Sequence, residues 1–211
     1  MKSASLVIVA TATALIAACS NLPRSRDLAN PNVAAITIAQ QVCSDCHGVA
    51  GNSISPNFPN LSAQTPAYLV AQLKEFRSHN RADPAGFEYM WGLSRSLTDE
   101  QITGLATYYS IQRPTRLAGN ADNAGVATGK QIFEAGLPDK NIPACVACHG
   151  ATGQGNDAFP RLAGQHADYV VKQLIVFQRT DERPDGAIMK TVAHDLSLGE
   201  IRNLAAYLES L

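Results

Sequence analysis

Several familiar signals are missing from this chain, and each absence narrows the reading. Seventeen lysine and arginine residues face 18 aspartate and glutamate residues, for a formal net charge of −1, and no block of like charge stands out. A surface balanced in this way offers nucleic acid no electrostatic footprint. The one long apolar run, residues 6–18, is interrupted by threonines and falls short of the roughly 20 residues that a membrane-spanning helix needs. Alternating polar and apolar residues, the mark of a half-buried strand, are not found, so a mainly α fold is expected. Aromatic residues make up only 6% of the chain, with a single tryptophan. Methionine is scarcer still: apart from Met1 there are only Met90 and Met189.

The N-terminus carries Lys2, the apolar run, and then Cys19-Ser20-Asn21-Leu22-Pro23. Residues 1–18 read as a secretory signal peptide. The stretch Leu15-Ile16-Ala17-Ala18-Cys19 resembles a bacterial lipobox, in which cleavage falls just before a cysteine that receives lipid. Cys19 is then a lipidation site and residues 19–31 a tether, making a lipid anchor the only membrane attachment expected. By the same resemblance, Ser20 suits outer-membrane retention. The plainer alternative is ordinary cleavage nearby, leaving Cys19 discarded or as an incidental thiol.

The other four cysteines fall in two copies of one pattern, Cys43-Ser44-Asp45-Cys46-His47 and Cys145-Val146-Ala147-Cys148-His149. Two cysteines at this spacing can form thioethers to the vinyl groups of one porphyrin, and the adjacent histidine then lies under the iron as its proximal ligand. A zinc ribbon or a thioredoxin-like dithiol would use the cysteines but needs no histidine directly after the second one. Zinc ribbons also set their pairs roughly 15 to 20 residues apart, whereas Cys46 and Cys145 stand 99 positions apart. Two covalently bound haem c groups are the expected cofactors.

The repeat extends well beyond the cysteines. Phe58-Pro59-Asn60-Leu61 matches Phe159-Pro160-Arg161-Leu162, and Gln64 matches Gln165. Tyr68, Leu69, Gln72, Leu73 and Phe76 match Tyr169, Val170, Gln173, Leu174 and Phe177. Each half shows three helical segments: 32–43, 65–78 and one opened by Thr98 in the first half, then 125–135, 166–178 and one opened by Ser197 in the second. Thr65 stands as an N-cap before Pro66, and Thr98-x-x-Gln101 and Ser197-x-x-Glu200 are capping boxes. Apolar stripes Leu69/Leu73/Phe76 and Val170/Leu174/Phe177 mark core-facing sides, as do Ile102/Leu105/Ala106/Tyr109 and Ile201/Leu204/Ala205/Leu208. Residues 32–112 and 122–211 form two domains of about three core helices each, joined by a proline- and glycine-containing linker at 113–121. Domains this small bury little on their own, so an enclosed porphyrin would supply much of their core.

What stands opposite each proximal histidine separates carriers from catalysts. Met90 and Met189 follow His47 and His149 by 43 and 40 residues. Methionine is often core filler, yet the only two internal methionines fall at the same place in both copies, before the third helix, in stretches without periodicity where a loop could fold over the distal face. They are the expected sixth ligands, a choice that raises the iron potential relative to bis-histidine ligation. His79, His166 and His194 lack repeat partners and are expected at the solvent or in local hydrogen bonds; only His194, five positions past Met189, is kept as a substitute ligand. Two roles fit Pro59 and Pro160: plain turn residues, or carbonyl acceptors for the free imidazole nitrogens.

Taken together over residues 30–211, C-x-x-C-H-G, F-P-x-L, the Y-x-x-x-Q-L-x-x-F-type helix, the isolated methionine and the final L-A-x-Y helix resemble the dihaem cytochromes c4. That resemblance implies two tandem class I cytochrome c domains about a pseudo-twofold axis, with propionate edges facing each other. It further implies a periplasmic one-electron carrier, not an enzyme, with redox proteins as partners: a quinol-oxidising complex or other donor, and a terminal oxidase as acceptor. The competing readings are a dihaem enzyme, such as a peroxidase or sulfur-compound dehydrogenase, and the cytochrome subunit of a dehydrogenase or oxidase complex.

Overall fold

The computed structural model describes residues 26–84, 86–115 and 123–211. The expected signal peptide, Cys19 and most of the expected linker lie outside the described residues. Among those described, secondary structure is helical apart from two isolated bridges, Leu137 with Ile142 and Asn156 with Phe159, and no helix is long and apolar enough to cross a membrane.

In the first half, α1 (Ala35–Ile38) continues through a π-helical turn (Ala39–Cys43) into α2 (Ser44–His47). Next come α3 (Pro66–Arg77), a second π-helical turn (Gly86–Met90), α4 (Trp91–Ser94) and α5 (Asp99–Ser110). The second half repeats the order with α6 (Asn123–Ala135), α7 (Val146–His149), α8 (Ala167–Arg179), α9 (Ala187–Ala193) and α10 (Leu198–Ser210). The halves differ at their first helix. In the second, Gly136 at φ +69° ends α6, and a 3₁₀ turn (Pro138–Lys140) intervenes before the cysteines.

Both capping boxes form as expected, Thr98 with Gln101 and Ser197 with Glu200. Thr65 does not cap α3: its hydroxyl is buried without a partner, and the Thr65 N–H instead donates to Gln64 Oε1 at 2.9 Å. The stripes of α5 and α10 are buried, Ile102, Leu105, Ala106 and Tyr109 in one core and Ile201, Leu204, Ala205 and Leu208 in the other. The first helix of each half crosses the last at close range. Gly129 on α6 meets the Asn203 main chain, and Gly104 on α5 meets Ala35 on α1, so a small residue serves the same crossing from opposite helices.

The two halves join through polar groups arranged as a near-twofold exchange. Gln64 donates to Arg161 O (3.0 Å) and accepts from Arg161 N (2.7 Å); Gln165 donates to Asn60 O (3.0 Å) and accepts from Asn60 N (2.8 Å). Each glutamine thereby clamps the main chain just after the other half's proline. His166, expected at the solvent or in a local bond, is instead buried and donates across the junction to Ser53 O at 3.0 Å. Further out, Arg81 reaches Gln173 Oε1 (3.3 Å) and Arg183 reaches Gln72 Oε1 (2.9 Å) and the Tyr68 hydroxyl (3.3 Å). Burial disfavours the Asp83 carboxylate, yet Arg81 at 2.8 Å, helped by Arg183, holds its pKa below the usual carboxylate range.

Two measurements check this packing. Gly129→Ala would place a Cβ 2.0 Å from Asn203 O, and overpacking of this kind is expected to cost about 2 kcal/mol in denaturant unfolding even after the helix-propensity gain. Gly199→Ala, with only Ser197 Oγ within 4.0 Å, is the control and should be neutral or slightly stabilising. Separately, Gln165→Ala removes both cross-domain bonds to Asn60, a loss of about 2 kcal/mol at the usual net value per bond. Calorimetry should then show one unfolding transition broadening or splitting in two; an unchanged trace would mean that the clamp contributes nothing to domain docking.

Candidate functional site

Each cysteine motif sits on a single helical turn that ends in a glycine. Gly48 and Gly150 follow the histidines at φ +74° and +81°, a region that L side chains rarely adopt, and a Cβ on Gly48 would lie 2.3 Å from Asn52 O. The chain can therefore turn back at once, which brings the Phe-Pro segment over the imidazole. His47 Nδ1 lies 2.9 Å from Pro59 O, and His149 Nδ1 lies 2.9 Å from Pro160 O. A carbonyl only accepts, so Nδ1 carries the proton in both rings and Nε2 keeps its lone pair for a metal. The prolines thus take the acceptor role. Burial lowers the pKa of both imidazoles, opposed by the bonds to the proline carbonyls. Phe58 and Phe159 meet these rings edge-on, with centroids 6.2 and 6.3 Å away.

Both histidines and all four motif cysteines line one largely apolar cavity of about 760 Å³ that runs through the domain junction. Met90 and Met189 line it as well. They are not on loops, as their lack of periodicity suggests, but close a π-helical turn and lie within α9, respectively. Glycines allow this: a Cβ on Gly86 would meet the Phe76 ring at 3.0 Å, and one on Gly186 would meet the Phe177 ring at 2.3 Å, so each methionine segment presses down on the second helix of its half. The stripes Leu69/Leu73/Phe76 and Val170/Leu174/Phe177 face this cavity. His194 does not; its Nδ1 bonds to Thr191 O at 2.7 Å and its ring is well exposed beside Asp195. His79 is exposed and stacks on Trp91 at 4.7 Å.

The site fits an iron porphyrin better than the competing cysteine chemistries. Burial pushes the Cys43 and Cys145 thiols up to about 11, so neither is the ready thiolate of a redox dithiol. Among the described residues, no three His, Cys, Asp or Glu side chains converge as a zinc cage requires. The buried Nε atoms of Arg161 and Arg183 face no hydrogen-bond partner, and both residues belong to the cavity wall. Such donors on an apolar wall match the carboxylates of a porphyrin. The arginines and their neighbours Asp83 and Asp185 escaped the reading of the sequence, although the repeat Arg81-x-Asp83 and Arg183-x-Asp185 was there to be found.

The family model for cytochrome c matches residues 34–110 and again 126–211. Cytochrome c4 of Stutzerimonas stutzeri is 39% identical over 179 residues, covering 81% of this chain and 84% of that one. A protein of the same species named thiosulfate dehydrogenase electron acceptor is 33% identical over 173 residues, covering 80% of this chain and 78% of that one. The crystal structure of reduced recombinant cytochrome c4 from Pseudomonas stutzeri aligns with a TM-score of 0.75 at 37% identity, over 86% of this chain and 98% of that one. A cysteine pair, a polarised imidazole and an apolar wall, present twice in a helical chain matched twice by one family model, place this protein in the cytochrome c family as a dihaem electron-transfer cytochrome of the c4 kind, with two covalently bound haem c groups.

Proposed function

We propose that Cys43 and Cys46 anchor one haem and Cys145 and Cys148 the other, and that His47 with Met90, and His149 with Met189, are the axial ligands of the two irons. The observation that carries this reading is the equivalent placement in both halves: a histidine fixed through Nδ1 by a proline carbonyl, and the half's sole internal methionine on the wall of the same cavity. The bound haem supplies a one-electron iron couple. The chain's own part is to hold that couple still: the carbonyl bond fixes the imidazole and raises its basicity, the thioether favours the reduced iron, and the apolar wall keeps water away. A histidine and a methionine would be available to hold each iron, which would leave no open position for a substrate and supports a carrier rather than an enzyme.

The proposed role is single-electron transfer in the periplasm, from a quinol-oxidising complex or another donor to a terminal oxidase, with Cys19 lipidated as the tether. The relative named as an acceptor for thiosulfate dehydrogenase supports a second donor, a sulfur-compound dehydrogenase, with the same carrier chemistry. Stopped-flow reduction by each donor class separates the two.

Met90→Ala and Met189→Ala test the ligands. Each is expected to abolish about half of the near-infrared sulfur-to-ferric-iron absorption and to lower the potential of one haem, leaving the other unmoved. Full absorption retained in either variant would remove that methionine from the coordination sphere.

A further inference from the structure

The two methionine segments are fastened in different ways. In the first half the rings of Phe87 and Trp91, three residues before Met90 and one after it, both stack on the His79 imidazole. Their centroids lie 5.4 and 4.7 Å from it, with interplanar angles of 27° and 26°. The Arg95 guanidinium lies over Trp91 at 5.5 Å, and the buried Ser94 hydroxyl donates to Met90 O. His79 stands just past the C-terminal end of α3 at φ +64°, a backbone region that glycine or asparagine usually fills at a helix end. A bulky side chain held there is strained, and its two ring contacts are what it gains. In the second half Lys190 takes the place of Trp91, directly after the methionine, and its Nζ meets Asp181 at 2.6 Å with both side chains well exposed. Ala193 replaces Ser94 and has no hydroxyl to offer. An exposed ion pair contributes little and is screened by salt; stacked rings are not.

We infer that His79 is a positioning residue for Met90: through Phe87 and Trp91 it latches the π-helical turn onto the end of α3 and so keeps the thioether at the first iron. The inference rests on the axial-ligand reading above. A methionine leaves an iron when the segment that carries it swings away, and the frequency of such local openings follows from how well the segment is packed. None of the three rings lines the cavity. The latch therefore acts on the ligand only through the main chain of the turn, and changing it leaves the surroundings of the haem as they are. Met189, held by an ion pair in water, has no equivalent restraint.

Cyanide serves as the probe. On the ferric protein it takes the sixth position once the iron–sulfur bond has broken, forming an iron–carbon bond with no change in oxidation state. Decay of the near-infrared sulfur-to-ferric-iron absorption then reports the opening of each methionine segment. Met90→Ala removes the first haem's phase and so identifies it. His79→Ala is expected to speed that phase about tenfold, the weight of two stacked contacts, and to leave the second haem's phase unmoved. His79→Phe, which keeps a ring, should return the rate to within about twofold of the unsubstituted protein. His79→Gly, which relieves the backbone but omits the ring, should stay as fast as His79→Ala. A residue that merely ended the helix would show the reverse order, rescue by glycine and none by phenylalanine. That reverse order, equal acceleration of both phases, or an unchanged first phase in His79→Ala with the absorption intact overturns the inference and leaves the axial-ligand reading standing. That reading fails instead if the unsubstituted protein lacks the absorption.

Discussion

A helical module of this size closes only a small apolar core of its own, and part of its apolar surface is left for another occupant. The last helix of each half finds a partner in the first, and together they bury one complete stripe. The middle helix packs on that last helix as well, with Leu69 in one core and Val170 and Leu174 in the other, but it also borders open space. Its apolar stripe looks into a cavity, so the prosthetic group is as much a packing element as a functional one. Binding of this kind contributes directly to the folding free energy of the domain that encloses it.

The junction between the halves follows the opposite logic. It is made of amides, arginines, tyrosine hydroxyls and main-chain groups, nearly all buried and paired. Polar groups in such a setting contribute little net stability while demanding their own geometry. A lattice of this sort selects one relative placement of the two domains and penalises others, because any sliding would strand buried donors. For two redox centres that exchange electrons, a fixed separation matters more than tight adhesion.

Much of this architecture could be read from residues alone, because the information was local and stated twice. The cysteine-histidine motifs, the capping boxes and the i, i+4, i+7 stripes each rest on short spacings, and duplication turned weak signals such as Met90 and Met189 into paired ones. What escaped was long-range. Nothing near His166 announces that its imidazole will reach Ser53, 113 positions away. Thr65 has the composition of an N-cap, yet the Gln64 side chain, placed by the junction, takes the neighbouring main-chain N–H. The methionine segments have no periodicity to betray a helix because a π-turn and a single short helix are too brief to display one, and their approach to the second helix depends on glycines whose value shows only in three dimensions.

The clamp and the ligand support are adjacent links of one chain. Pro59 O steadies His47, and the very next residue is gripped by Gln165 from the opposite domain; Pro160 O steadies His149, and the next residue is gripped by Gln64. A hinge-like parting of the lobes would tug at the peptide on which each imidazole leans. Mechanical stress at the seam would thus reach both imidazoles at once, and with these as the proposed iron ligands a docking partner that pries or squeezes the lobes would have a lever on the irons without approaching either.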